Sequence, residues 1–300
     1  MSNRTRELDG IRGIAILMIL VWHCIVCQTR QPEPGTLAAV LRSVPGVFWS
    51  GVDLFFLLSG FLVGGLVLDN HAKRGFLKVF WLRRCCRILP VLCVLLGRRV
   101  WVHALGPLIV AACALRLAFP GFHAFVNTPF RLDALLCGAG VAVLVRNETV
   151  WATVRRRRRP LLGSLCSVLL VTGTVLFANG LLSLALLWFA VFYATLLIFV
   201  LLYQGSRHKW LLRTRVLCFW GSISYGLFMF HQGISGLCHG WLRNGAGPSL
   251  GNAHGMRGTV LAFLACTAAA WLSRRFYESR FLKIGNRFRY SAGVEHVLVV

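Results

Sequence analysis

The chain has 300 residues, 57% of them hydrophobic and 14% charged, whereas a soluble globular domain has about a quarter of its residues charged. That balance excludes a water-soluble enzyme and indicates one membrane domain over 1–290 with a cytoplasmic tail at 291–300. The net charge of +24 does not signal a nucleic-acid partner, because Lys and Arg cluster between apolar runs instead of lining one face among aromatics; they read as positive-inside topology signals.

In chain order, Arg4 and Arg6 lead into a retained first span over Ile11–Val26, with no small-residue cleavage site behind it. The charge-poor stretch Gln31–Pro45 is expected outside, a second span covers Val47–Leu68, and Lys73–Arg87, dense in Lys and Arg, is inside. Ile88–Leu96 is about half the length needed to cross and is expected at the inner interface. Val100–Phe119 crosses outward, Pro120–Phe130 lies outside, and Leu132–Val145 returns to the basic loop Arg155–Arg159. Leu161–Ala178 and Leu181–Tyr203 form a hairpin turning at Asn179-Gly180. Val216–Cys238 goes out, Thr259–Leu272 comes back, and Arg274–Arg289 is an inner basic tail. The fold class is therefore all-α, a polytopic transmembrane helix bundle of about eight spans with both termini cytoplasmic. Of the 11 cysteines, Cys113, Cys137, Cys166 and Cys266 sit in apolar runs, where Cys behaves as a small hydrophobe; no disulfide framework and no metal site is expected.

Ionisable groups inside a bilayer cost about 2.5 to 3.5 kcal/mol each on insertion scales, so the few that occur mark candidate sites. Arg12 and His23 are eleven residues apart, a rotation of about 20° beyond three full turns and a rise of about 16 Å, so both project from one face of the first span. Taken singly, Arg12 reads as an interfacial anchor and His23 as a hydrogen-bonded core histidine. Asp53 in the antiparallel second span reaches a depth comparable to His23, and a His–Asp pair there would make a competent general base. Arg131 and Asp133 either pair with each other or bind a sugar hydroxyl. His231, beside Phe228 and Phe230, either lines the acceptor side or is a satisfied core histidine. Glu278 among arginines is expected to form a tail-fastening salt bridge.

Several stretches together resemble membrane-bound acyltransferase family 3, the sugar and lipopolysaccharide O-acyltransferases. They are Leu8-Asp9-Gly10-Ile11-Arg12-Gly13-Ile14-Ala15 through His23, Gly51-Val52-Asp53-Leu54-Phe55-Phe56-Leu57-Leu58-Ser59-Gly60-Phe61, and Arg83-Arg84 to Arg87-Ile88-Leu89-Pro90. Thr128-Pro129-Phe130-Arg131-Leu132-Asp133, Ile223-Ser224-Tyr225-Gly226-Leu227 to His231, and Ser273 through Phe276 to Glu278 follow in the family's order.

The resemblance implies transfer of an acyl group, commonly acetyl, from acyl-coenzyme A to a hydroxyl of a glycan or other cell-envelope acceptor. The donor is acetyl-coenzyme A as substrate, with no bound cofactor, in a multi-pass cell-membrane protein that would occupy the inner membrane of a bacterium. His23 would be the catalytic base with Asp53 in support, and Arg12 would hold the donor. Arg83, Arg84 and Arg87 suit its phosphates as well as they suit topology signals. His23 can act on the acceptor hydroxyl or take the acyl group itself.

Family members run longer and carry an outer acidic segment in the middle; here the 37 residues from 91 to 127 contain no acidic residue. That departure keeps two other readings in play, an inactive acyltransferase-like membrane protein and a transporter, which should show inverted repeats and shows none.

Overall fold

A bilayer interior offers no water to a backbone N–H or C=O, so a spanning segment closes its own hydrogen bonds, and a lipid-embedded chain without strand pairing answers with helices. The computed structural model describes residues 6–29, 46–70, 107–111, 131–157, 159–202, 210–242 and 253–280, with single positions at 114 and 250. Among these residues the regular structure is helical throughout. We number the helices α1 (Arg6–Val21), α2 (Gly51–Asn70), α3 (Leu132–Arg146), α4 (Glu148–Arg157), α5 (Arg159–Ala178), α6 (Leu182–Leu202), α7 (Arg215–Leu242) and α8 (Ala253–Leu272). Wide π-helical turns extend α1 over Trp22–Val26 and α8 over Ser273–Glu278.

Four helical segments among the described residues are long and apolar enough to cross a membrane: Arg6–Val26, Phe48–Asn70, Leu182–Leu202 and Ala253–Glu278. These match the expected spans Ile11–Val26, Val47–Leu68, Leu181–Tyr203 and Thr259–Leu272, with extra residues at the start of the α1 segment and at both ends of the α8 segment. The expected interfacial run Ile88–Leu96 and most of Val100–Phe119 lie outside the described residues, as does the tail at 291–300. α7, expected over Val216–Cys238, is longer, with 28 residues. Its polar residues keep it less apolar than the four, and three of them, Ser224, His231 and His239, are buried.

The helices group into two packed sets. In the first, covering 1–52 and 207–280, α7 packs against both α1 and α8. Ile16, Ile19 and Leu20 meet Ile223, Leu227, Cys266 and Ala270 in one buried cluster. α1 and α7 approach closely because both present glycine at the crossing: a Cβ on Gly13 would lie 2.2 Å from the Leu217 carbonyl oxygen, and one on Gly221 would lie 1.9 Å from that of Asp9. At the same end Glu7, in the first turn of α1, accepts from Arg213 Nε at 2.7 Å and also from Arg213 Nη2.

The second set covers 53–206 and 281–300. Here α2 and α3 also meet through glycine, Gly60 over Leu135 and Gly138 over Leu57, with Val63, Val67, Leu136 and Ala139 buried alongside. Arg146 makes a two-pronged bond to Asp69, with Nε at 2.6 Å and Nη2 at 2.8 Å. α5 and α6 form the expected hairpin, and Gly180 takes φ +76° at its turn, a left-handed conformation that glycine adopts without strain. Four of the arginines expected in a loop at 155–159 are instead helical: Arg155, Arg156 and Arg157 close α4 and Arg159 opens α5. Asn147, extended at ψ 99°, breaks the chain direction and accepts from Val150 N at 3.2 Å, so α4 turns about 91° away from α3.

Replacing Gly221 with Val places a side chain against the Asp9 carbonyl, a backbone atom with no room to yield. Overpacking of this kind costs about 1–3 kcal/mol. The G221V chain is expected to show a markedly lower unfolding midpoint in detergent than native protein, whereas G140V, at a position with open space around it, is expected to leave the midpoint unchanged.

Candidate active site

Arg12 and His23 both belong to the α1 segment. Arg12 lies one turn from Asp9, and its Nη1 donates to Asp9 Oδ1 at 3.3 Å. His23 sits in the π-helical turn, where the Cys27 amide reaches back five residues to the Trp22 carbonyl at 2.9 Å. Such inserted turns recur at functional sites because they change the direction of one side chain without ending the helix. The Gln28 side-chain amide donates to the His23 carbonyl at 3.0 Å and so holds the peptide of the histidine itself. Cys24 and Cys27 flank this turn at a C-x-x-C spacing, both as thiols, Cys24 buried and Cys27 exposed.

The structure brings His231 to His23. Their ring centroids are 5.0 Å apart and the planes are tilted by 52°. His231 is only 7% exposed, and its Nδ1 lies 2.9 Å from the Phe228 carbonyl and 3.2 Å from that of Leu227. A carbonyl oxygen can only accept, so Nδ1 carries the proton and Nε2 carries a lone pair. That Nε2 is buried and has no hydrogen-bond partner among the described residues. An imidazole pinned by its own helix thus offers a basic nitrogen beside a second imidazole.

At the other end of α1 a cavity of about 410 Å³ is lined by Arg6, Asp9, Arg213, Arg215, Cys218 and Phe219. The N-terminus of α7 opens here, with Thr214 Oγ1 accepting from Leu217 N at 3.4 Å. Three guanidinium groups near a helix N-terminus make a surface suited to anionic groups. In the sequence Arg213 and Arg215 fall among the Lys and Arg residues between apolar runs, a pattern that marks topology and does not reveal a lined cavity.

In the second helix set Asp53 and Arg131 form a buried ion pair, Arg131 Nη1 donating to Asp53 Oδ1 at 2.7 Å with side chains 1% and 3% exposed. Asp133 is also buried, in the first turn of α3. The carboxylate given to Arg131 is thus that of Asp53, 78 positions away, and His23 and Asp53 belong to different helix sets. Arg83, Arg84 and Arg87 lie outside the described residues. Arg274 and Glu278 form a salt bridge at 3.5 Å inside the π-helical turn after α8, and the tail it was expected to fasten lies outside the described residues.

Residues 5–109 match the sequence profile of an acyltransferase domain. A Staphylococcus aureus (strain COL) protein named as an O-acetyltransferase is 36% identical over 91 residues, 30% of this chain and 12% of that protein. The peptidoglycan O-acetyltransferase of Listeria monocytogenes is 30% identical over 92 residues, again 30% of this chain and 12% of its own length. A Komagataeibacter xylinus protein named as a membrane-bound transacylase is 27% identical over 234 residues, 78% of this chain and 46% of that protein. The chain thus spans about an eighth of the first two relatives and about half of the third. No solved structure matches. With the apolar helices, these matches describe a helical membrane protein whose residues 5–109 resemble an acyltransferase domain. The segment that matches the acyltransferase domain contains both Arg12 and His23.

Removing one member of a buried ion pair leaves an uncompensated charge and costs about 3–5 kcal/mol, whereas removing both costs less. D53L and R131M are each expected to unfold at clearly lower denaturant than the double variant D53L/R131M in micelles. Equal loss in all three would show that the pair does not hold α2 to α3.

Proposed function

We propose that this chain is a membrane O-acyltransferase that moves an acyl group, acetyl by preference, from acyl-coenzyme A to a hydroxyl of a glycan or other cell-envelope acceptor. The carrying observation is the His23–His231 pair, with an unpartnered buried nitrogen on His231; His23 shares the α1 segment with Arg12 and lies inside the region that matches the acyltransferase profile. The named relatives transfer acyl groups by their names, which supports the reaction class without naming this chain's acceptor.

In this reading the phosphates of coenzyme A lodge at the cytoplasmic end, in the cavity of Arg6, Arg213 and Arg215, where Arg12 is the next cation along α1. Arg83, Arg84 and Arg87, outside the described residues, add positive charge that attracts a polyanionic donor. His23 is the base. Its ring accepts the proton of the acceptor hydroxyl as that oxygen bonds to the thioester carbon; the carbon–sulfur bond breaks and coenzyme A leaves as the thiol, taking the proton from the imidazolium. His231 Nε2 accepts from a neighbouring hydroxyl of the acceptor and so turns the reacting oxygen toward His23. Asp53 and Arg131 hold helices together, and neither is needed as a proton carrier.

The test is transfer of labelled acetyl from acetyl-coenzyme A in membranes carrying the chain. A positioned general base contributes about 10²–10⁴-fold, so H23A is expected to lose at least about a hundredfold in kcat with unchanged folding. R12A is expected to raise the donor KM while sparing kcat more. Absence of label from every glycan and lipid fraction with the native chain would overturn the enzyme reading.

A further inference from the structure

The outer continuation of α1 carries a chain of polar contacts that the reaction as described does not use. Gln28 Nε2 donates to the His23 carbonyl at 3.0 Å, and at the other end of the same amide Gln28 Oε1 accepts from Thr259 Oγ1 at 2.9 Å. Thr259 Oγ1 lies 3.1 Å from His239 Nε2. The first link decides the direction of the rest. A carbonyl only accepts, so the Gln28 nitrogen must face His23 and its oxygen must face Thr259; the Thr259 proton is then committed to Gln28, and Thr259 can only accept from His239 Nε2–H. Donation therefore runs one way, from His239 on α7, through Thr259 on α8, through Gln28, to the peptide of His23.

The surroundings are shaped to hold this chain. His239 is fully buried, and the space for its ring exists because residue 258 is glycine: a Cβ there would lie 2.9 Å from His239 Nδ1. The Gln28 carbonyl is taken by the Leu250 amide at 3.2 Å, which fixes the base of the glutamine. The π-helical turn that carries His23 would relax to ordinary helix, or fray, without an outside tether, because a helix end leaves its last carbonyls unpaired.

We infer that Gln28, Thr259 and His239 form a positioning relay that sets the aim of the His23 imidazole by holding its carbonyl. This inference rests on the acyl-transfer reading of the His23 site. The three residues touch neither donor nor acceptor; they act through the backbone of the base.

A misplacement of about 1 Å at a reacting group costs about a hundredfold in rate. In full-length protein in lipid nanodiscs, T259V and Q28M are expected to lower kcat by roughly ten- to a hundredfold with KM for acetyl-coenzyme A within about twofold of native. T259S keeps the hydroxyl and H239Q keeps a donor at the Nε2 position, and both are expected to stay within about threefold of native, while H239L falls with T259V. Equal losses in T259S and T259V, or a native kcat in T259V and Q28M, overturn the relay.

A second readout separates this from the enzyme reading. The rate at which diethyl pyrocarbonate modifies His23, mapped by mass spectrometry, is expected to change at least about threefold in T259V and to match native in T259S. A native protein without transferase activity would sink the function and leave this measurement to decide the relay; unchanged modification in T259V would sink the relay alone.

Discussion

α1 and α7 touch backbone to backbone where Gly13 faces Gly221, and the polar geometry further along both helices depends on that contact. The two helices run in the same direction from it. His23 is ten residues beyond Gly13 and His231 ten residues beyond Gly221, so the same rise of about 15 Å carries both rings to one level. A side chain at either glycine would spread the helices, and the two imidazoles, which depend on a centroid separation of 5.0 Å, would no longer share a site.

Inside a bilayer an unmet polar group is expensive, and the described residues meet that cost in different ways. Asp53 and Arg131 neutralise each other; the His231 Nδ1–H is returned to its own helix; His239, Thr259 and Gln28 pass one donor along to a carbonyl. The Nε2 of His231 is left over. A buried lone pair beside a second histidine is a place for a hydroxyl, which is what separates this corner from ordinary packing.

The long apolar helices were legible because their signal is summed over about twenty residues: α1, α2 and the α5–α6 hairpin with its Asn179-Gly180 turn follow from hydropathy and one glycine. Arg12 and His23 were legible because charge inside a span is conspicuous. Partner choice was not. Arg131 bonds Asp53 from 78 positions away, a partner that depth counted along the chain does not name. The π-helical turn leaves no mark in the residue pattern, since one extra residue per turn shifts the face without changing composition. Gln28 and Thr259 are ordinary residues near helix ends, visible as a pair only once α1 and α8 are placed side by side. The arginines of 155–159 were read as loop from charge alone, although Arg is a good helix former and Asn147 supplies a cap.

The pairing of Asp53 with Arg131 also bears on how the chain is made. The two residues are 78 positions apart, so during synthesis α2 emerges well before its cation exists. For that interval the carboxyl must enter lipid without its guanidinium, and only the apolar character of its own helix, with a mean hydropathy of 2.1 across the segment, carries it in. The arrival of α3 then converts a passenger that resists burial into the tie that fastens two helices, so correct assembly of this pair depends on α2 waiting in the membrane for α3.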